Sequence, residues 1–491
     1  MTKPEPQPPG SQPRQTAGKR HYSPQPNVPG RGIVAGYRPR FWISVVGIGL
    51  AAGVGGAALL ELLRLIERTA FAYHAGGFLQ GVQRTSGERR VLVLVAAGVV
   101  AGIGSLLVHR VRGSGAGEIS EALWVGGGRL AFWRSQARGL LSIVIVGMGA
   151  SLGREAAPQL VGAASASWLS DWAQLPTHQR RLLVACGAGA GMAAVYNVPL
   201  GGALFALEVL LGTVTLPLVL PALATSLIAT GVAWIVLGNR PTYHIPSYHV
   251  AASQIVWAAI IGPLAGVGAL VWVSLIARVN DRKPASGRGR VLAPPLVFAA
   301  LGAVAIAYPQ LLGNGKDVVQ LAFTGKLAVA TLAVLLVLKP LATASCLGAG
   351  APGGLFTPTL AYGALFGALL GHAWSTIWPG APTGSYAIIG AAAVLAASMQ
   401  GPLTAVVLLL ELTHQGQALM VPILLAVTEA TVLTRLIGAP SIYSARLGDK
   451  VVRGAQQASK EQRAAGEGDL PASAAAPAPP APDSANRRPR D

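Results

Sequence analysis

The residues able to do chemistry are few, and the costliest to place is Glu155, in Ser151-Leu152-Gly153-Arg154-Glu155-Ala156-Ala157-Pro158. This glycine turn carries an acid into an otherwise apolar, membrane-length sequence. An ionised carboxylate at bilayer depth costs at least about 2.5–3.5 kcal/mol, so such an acid faces a pathway by default; the alternative is a pairing with Arg154 at a helix start. Donors form a second set. Gly153 and Gly353-Gly354 each open a helix N-terminus, whose unsatisfied N–H groups and roughly half a positive charge can hold an anion without a formal cation. Glycine also lets an ion approach the backbone closely. Ser114, in Gly113-Ser114-Gly115, and Tyr443 can each add a hydroxyl, although singly they read as a turn serine and an interfacial tyrosine. Together these groups describe a site where an anion binds and can also leave. A membrane-embedded enzyme using Glu155 as general acid or base would need a partner group. The eight His residues are scattered, with no metal-ligand spacing, no nucleophile–base pair and no phosphate loop. The expectation is therefore no enzyme, no cofactor and no metal.

The elements that must position these groups are apolar. The chain is 52% hydrophobic and 12% charged, with mean hydropathy +0.51, and its apolar runs repeatedly reach the length that spans about 30 Å of hydrocarbon. The fold class this implies is an all-α polytopic membrane protein embedded in a lipid bilayer. Residues 1–40 and 447–491 read as disordered tails, both cytoplasmic by the positive-inside rule, around one membrane domain over 41–446. The first tail lacks the early apolar core of a cleavable signal. The net charge of +19 sits mostly in tails and loops, which argues against nucleic acid as a partner. Arg278, Arg282, Lys283, Arg288 and Arg290 mark a cytoplasmic connection. Glu61, Arg64, Glu67 and Arg68 read as interfacial pairs, whereas Arg84, Arg89 and Arg90 fall on the outer side, against the positive-inside rule. Cys186 and Cys346 read as small packing residues, and Glu118 and Glu429 as helix-end or packing acids. Several apolar segments are too short to cross and are cut at Pro158, Pro199, Pro358 and Pro402. Broken helices inside a membrane require a buried or cavity-lining backbone.

The chain repeats itself. Gly187, Ala188, Ala190, Ala193, Pro199, Leu200, Leu207 and Glu208 recur 203 positions later as Gly390, Ala391, Ala393, Ala396, Pro402, Leu403, Leu410 and Glu411. Gly153, Pro158 and Leu160 recur 200 positions later as Gly353, Pro358 and Leu360. Two halves, about 41–238 and 253–446, thus each carry a glycine-opened broken helix, a Gly/Ala-rich helix and a Pro-Leu restart. Duplicated halves of this kind are a plan for transporters, with the site where the halves meet.

At this point the chain resembles the CLC family of chloride channels and chloride/proton exchangers, in its prokaryotic form without C-terminal CBS domains. The resemblance covers residues 40–446 and rests on Gly113-Ser114-Gly115, Gly153-Arg154-Glu155, Gly354-Leu355-Phe356-Thr357-Pro358 and Tyr443. It implies two inverted-topology repeats, a homodimer with one chloride pathway per subunit, and residence in a bacterial inner membrane. By that likeness Ser114 and Tyr443 coordinate the anion from the inner side, backbone amides near Arg154, Glu155, Leu355 and Phe356 complete the sites, and Glu155 is the gating glutamate. The family pattern Gly-Arg-Glu-Gly-Pro is altered here, with Ala156 and Ala157 placing Pro158 one position late. Family exchangers also carry an inner proton-transfer acid directly after the position of Glu208, where this chain has Val209. Valine carries no proton, so the expectation is a passive, voltage- or pH-gated chloride channel; the alternative is a chloride/proton antiporter, with Glu208 or water delivering protons. Glu208 itself reads as a structural helix-end acid like its repeat mate Glu411.

Overall fold

Prolines and glycines set the helix limits. In the computed structural model, which describes residues 37–447 apart from 112, 114, 117 and 285–287, the first half holds α1 (Pro39–Phe71), α2 (Phe78–Arg84), α3 (Gly87–Arg110), α4 (Ile119–Trp124), α5 (Phe132–Gly147), α6 (Ala156–Trp172), α7 (Thr177–Tyr196), α8 (Pro199–Leu204), which runs into a π-helical turn at Phe205–Leu211, and α9 (Leu216–Leu237). The second half holds α10 (Ala252–Asp281), α11 (Arg288–Ala307), α12 (Lys316–Phe323), α13 (Val329–Gly348), α14 (Phe356–Ile377), α15 (Thr383–Met399), α16 (Pro402–Thr413) and α17 (Met420–Leu436). The described residues contain no strand, only isolated bridges. Among the described residues, eight helical segments are long and apolar enough to cross a bilayer, and their outer faces show bare apolar side chains such as Ile235 and Leu436, 84% and 81% exposed. The tails expected at 1–40 and 447–491 lie outside the described residues, except for 37–40 and 447.

The four prolines expected to break spans instead start helices. Pro199 and Pro402 are the first residues of α8 and α16, and Pro158 and Pro358 are the third residues of α6 and α14. A first-turn proline sacrifices no helical hydrogen bond, because the N–H it lacks would have had no partner. The late Pro158 therefore still lies within the first turn. The repeat extends to the caps: α7 and α15 follow Pro176 and Pro382 and end on left-handed Asn197 and Gln400, both at φ 59°.

These two helices form the buried centre. α15 is buried from Gly384 to Met399 and α7 from Leu182 to Tyr196. Small residues permit this, since a side chain on Gly162 of α6 or Gly187 of α7 would overlap the other's backbone carbonyl. In lipid such close approach replaces hydrophobic exclusion as the source of helix–helix attraction. The halves are also tied reciprocally. Glu411 accepts the Leu200 and Gly201 N–H groups at 3.0 and 2.7 Å, at the start of α8. Glu208 accepts Leu403 N–H at 3.2 Å and the Thr404 N–H and hydroxyl at 2.6 Å each, at the start of α16.

Two of the three arginines expected on the outer side, Arg89 and Arg90, are spent on the backbone. Arg90 donates to the carbonyls of Val82, Gln83, Ala305 and Ile306, and Arg89 to those of Thr69 and Ala70. Both neutralise the ends of α1, α2 and α11, where unpaired carbonyls leave partial negative charge. Cys186 and Cys346 are free and buried. No group of His, Cys, Asp or Glu among the described residues is arranged to hold a metal.

Candidate functional site

Two helix N-termini meet tip to tip at the middle of the molecule. Gly153 and Gly354 form an antiparallel bridge, with Gly153 N–H on the Gly354 carbonyl at 2.8 Å and Gly354 N–H on the Gly153 carbonyl at 2.9 Å. That bridge locks the start of α6 to the start of α14, each from a different half. Glu155 is the N-cap residue of α6, yet its side chain crosses to the other helix. Its Oε1 accepts Phe356 N–H at 2.7 Å, the first orphan donor of α14. A carboxylate thus lies where a free anion would gain the same N–H and the same helix field. Oε2 meets two hydroxyls, accepting from Tyr196 at 3.2 Å and from Thr357 at 3.4 Å.

Glu155 separates cavities. On one side lies a cavity of about 60 Å³ whose lining includes Glu118, Ser120, Arg138, Glu155, Gln159, Leu355, Tyr443 and Arg446. On the other, cavities of about 240 and 270 Å³ share Arg64, Arg154 and Lys316 in their walls. Arg154 is the cationic neighbour on that side, its guanidinium carbon 4.9 Å from the centroid of the Tyr196 ring. Arg64, Glu67 and Arg68 also line the 240 Å³ cavity. Of the pairs expected there, Glu61–Arg64 forms, and its Arg64 belongs to the cavity wall as well.

Several expected residues converge. Glu155, Leu355 and Tyr443 share the smaller cavity, with Phe356 bonded to Glu155 and Arg154 on the far side. The Tyr443 ring packs on Phe205 at 5.6 Å, and burial pushes its phenol well above the usual range, so the hydroxyl keeps its proton. Ser114 lies outside the described residues. Glu208 is not in any of the three cavity walls; it is occupied with the start of α16. Val209 is buried in the same π-helical turn, against Gly401.

Glu118, expected as a helix-end or packing acid, is the N-cap residue of α4 and also lines the cavity that Glu155 lines. It pairs with Arg138 and, at 3.5 Å, with Arg446. Burial pushes the Glu118 carboxyl up, but Arg138, Arg446 and Lys283 outweigh burial and hold it at about 2. Sequence reading missed Tyr196 and Thr357. Thr357 stands inside the motif Gly354-Leu355-Phe356-Thr357-Pro358 and Tyr196 within the repeated stretch, but nothing local joins them to Glu155 across 202 and 41 positions.

Residues 96–435 match the family described as voltage gated chloride channel. The chain is similar to a putative chloride channel protein, ClcB-like, from Ralstonia nicotianae, at 32% identity over 82% of this chain and 95% of the relative. It is 30% identical to the H(+)/Cl(-) exchange transporter ClcA of Salmonella paratyphi B, over 77% of this chain and 83% of the relative. Its fold is similar to the solved structure of a slow cyanobacterial Cl-/H+ antiporter, with TM-score 0.74 and 22% identity, covering 86% of this chain and 99% of that one.

Proposed function

The chain belongs to the CLC family of voltage-gated chloride channels, and from that premise we propose that it is a glutamate-gated chloride transporter that exchanges chloride for protons. The observation that carries the reading is the Glu155 carboxylate lodged on Phe356 N–H between the cavities. A carboxylate and chloride compete for the same donors. Protonation removes the negative charge on Glu155 and with it the claim on the helix field, so the side chain leaves and chloride enters. When the side chain returns and releases its proton to the opposite side, one movement has coupled the two ions. The likeness to an exchange transporter and to an antiporter fold favours this over the passive channel expected from Val209.

The inner proton then travels without a carboxylate at position 209. Glu118 does not replace it, because the arginines keep it ionised. The cavity of about 60 Å³ can hold water, since one water needs only about 10–15 Å³ of such volume, and water hydrogen-bonded along its polar wall reaches Glu155. Passive conduction is the second reading, favoured by the buried Val209. In either case Tyr443 faces the cytoplasm, the protein is a homodimer in a bacterial inner membrane, and both termini are cytoplasmic.

A reversal potential decides between the readings. In a bilayer with a fixed chloride gradient, an added pH gradient shifts the reversal potential of an exchanger and leaves that of a channel unchanged. An unchanged potential would return the assignment to a channel. Glu155→Gln is expected to keep chloride flux, lose its pH dependence and abolish the shift; wild-type pH dependence in that variant would remove Glu155 from the gate.

A further inference from the structure

We infer that Tyr196 and Thr357 are a hydroxyl pair that holds Glu155 in the anion site and then coordinates the small monovalent anion that takes its place. The inference rests on the reading of Glu155 as gate. Tyr196 is the last residue of α7 and Thr357 the second of α14, so the pair joins the two halves at the site. The side chains of Glu155, Tyr196 and Thr357 are 1%, 1% and 0% exposed.

Proton counting gives the pair its function. The hydroxyl oxygens of Tyr196 and Thr357 lie 2.6 Å apart, so one of their two protons bridges them. The other is left for Glu155 Oε2, at 3.2 Å from Tyr196 or 3.4 Å from Thr357. Either order works, Thr357 to Tyr196 to Glu155 or Tyr196 to Thr357 to Glu155. An ionised Glu155 accepts the free proton, whereas a protonated one donates to the pair, so both states are satisfied. When the carboxylate leaves, a buried O–H has lost its acceptor, and a buried donor without a partner is costly. A chloride, bromide or nitrate ion restores the acceptor, flanked by the hydroxyl and by Phe356 N–H.

The tyrosine is held for this purpose. Its ring lies under Arg154 at 4.9 Å and edge-on to Phe356 at 5.4 Å, while Thr242 donates to its carbonyl at 2.8 Å. A cation above the ring fixes its plane and adds positive field. The charged groups facing it from the larger cavity are Arg64, Arg154, Arg240 and Lys316, with His244 beside them.

Because either hydroxyl can deliver the free proton, the two are redundant, and the test exploits that. Chloride binding is measured by calorimetry on the purified full chain in a Glu155→Ala background, where the site stands open. Tyr196→Phe or Thr357→Val alone leaves one donor and should weaken binding by no more than about threefold. The double variant removes both and should weaken it by about tenfold or more, the worth of one hydrogen bond to a charged group. Thr357→Ser beside Tyr196→Phe should restore the single-variant affinity. Replacing both partners with apolar groups of similar shape is nearly neutral for folding, and Tyr196→Phe with Thr357→Ala serves if the valine does not fit. Unchanged chloride affinity in the double variant would overturn the inference while leaving the gate intact. If Glu155→Ala alone keeps wild-type pH dependence of flux in vesicles, the gate reading fails and takes this inference with it.

Discussion

Glu155 lies in a slot whose walls are hydrogen atoms: a Cβ built on Gly153 or on Gly354 would overlap its carboxylate oxygens. The slot exists because the two glycines pair through their backbones, and the volume that takes the carboxylate is the volume an anion would take. Gly354→Ala should therefore exclude both. Overpacking a fitted site costs about 1–3 kcal/mol, so chloride efflux from vesicles should fall about tenfold or more, and neutralising Glu155 should not restore it. Full flux in Gly354→Ala combined with Glu155→Ala would place the slot off the path. Glu118 belongs to the same scale, and its sign can be worked out. Its carboxyl is held near 2, below the ordinary 4.5, so its contribution to stability is complete above about pH 4.5 and is lost only as pH falls towards 2. Between pH 5 and 8 it does not titrate. Glu118→Gln should leave the pH midpoint of chloride flux where it was, and a midpoint shifted by about one unit would make Glu118 part of the proton path.

Reciprocal capping governs the helices next to the pathway. Glu208 and Glu411 each cross to the other half and close the start of a proline-opened helix, where an anionic acceptor is best placed. Glu208→Gln and Glu411→Gln keep size but lose charge, and each should cost about 1–2 kcal/mol of stability, read as a lower thermal midpoint in detergent. Neither should alter the pH-driven shift in reversal potential. A coupling change specific to Glu208→Gln would show that the acid relays protons as well as capping α16. This pairing was half legible in the sequence, because Pro199 with Glu208 recurs as Pro402 with Glu411. The spacing gave the equivalence but not the exchange of partners, since each acid caps the helix of the other half, 195 or more positions away.

Across the whole molecule, the apolar composition made membrane-length helices legible, and α9 (Leu216–Leu237) is one of them. The short helices α2, α4 and α12 were not legible, being too brief and too polar to stand out as apolar runs. Within the site, the backbone motifs around Glu155 and Phe356 were readable; the cavities were not, because their walls come from both halves. Those walls carry a final expectation. Arg64, Arg154 and Lys316 line both larger cavities, and Arg240 lines one of them, so cations gather on the far side of Glu155 from Tyr443. Fixed charges in a cleft raise the local concentration of a mobile anion. Their reach is about 30 Å at 0.01 M salt and about 10 Å at 0.1 M. Chloride uptake from that side, measured at fixed low chloride, should therefore fall as an impermeant salt is added, and Lys316→Gln should flatten the dependence. Loss of positive charge at Lys316 weakens capture while leaving the donors at Glu155 untouched, so the reversal potential should not move. A salt response identical in wild type and Lys316→Gln would mean that chloride reaches Glu155 without passing this cluster.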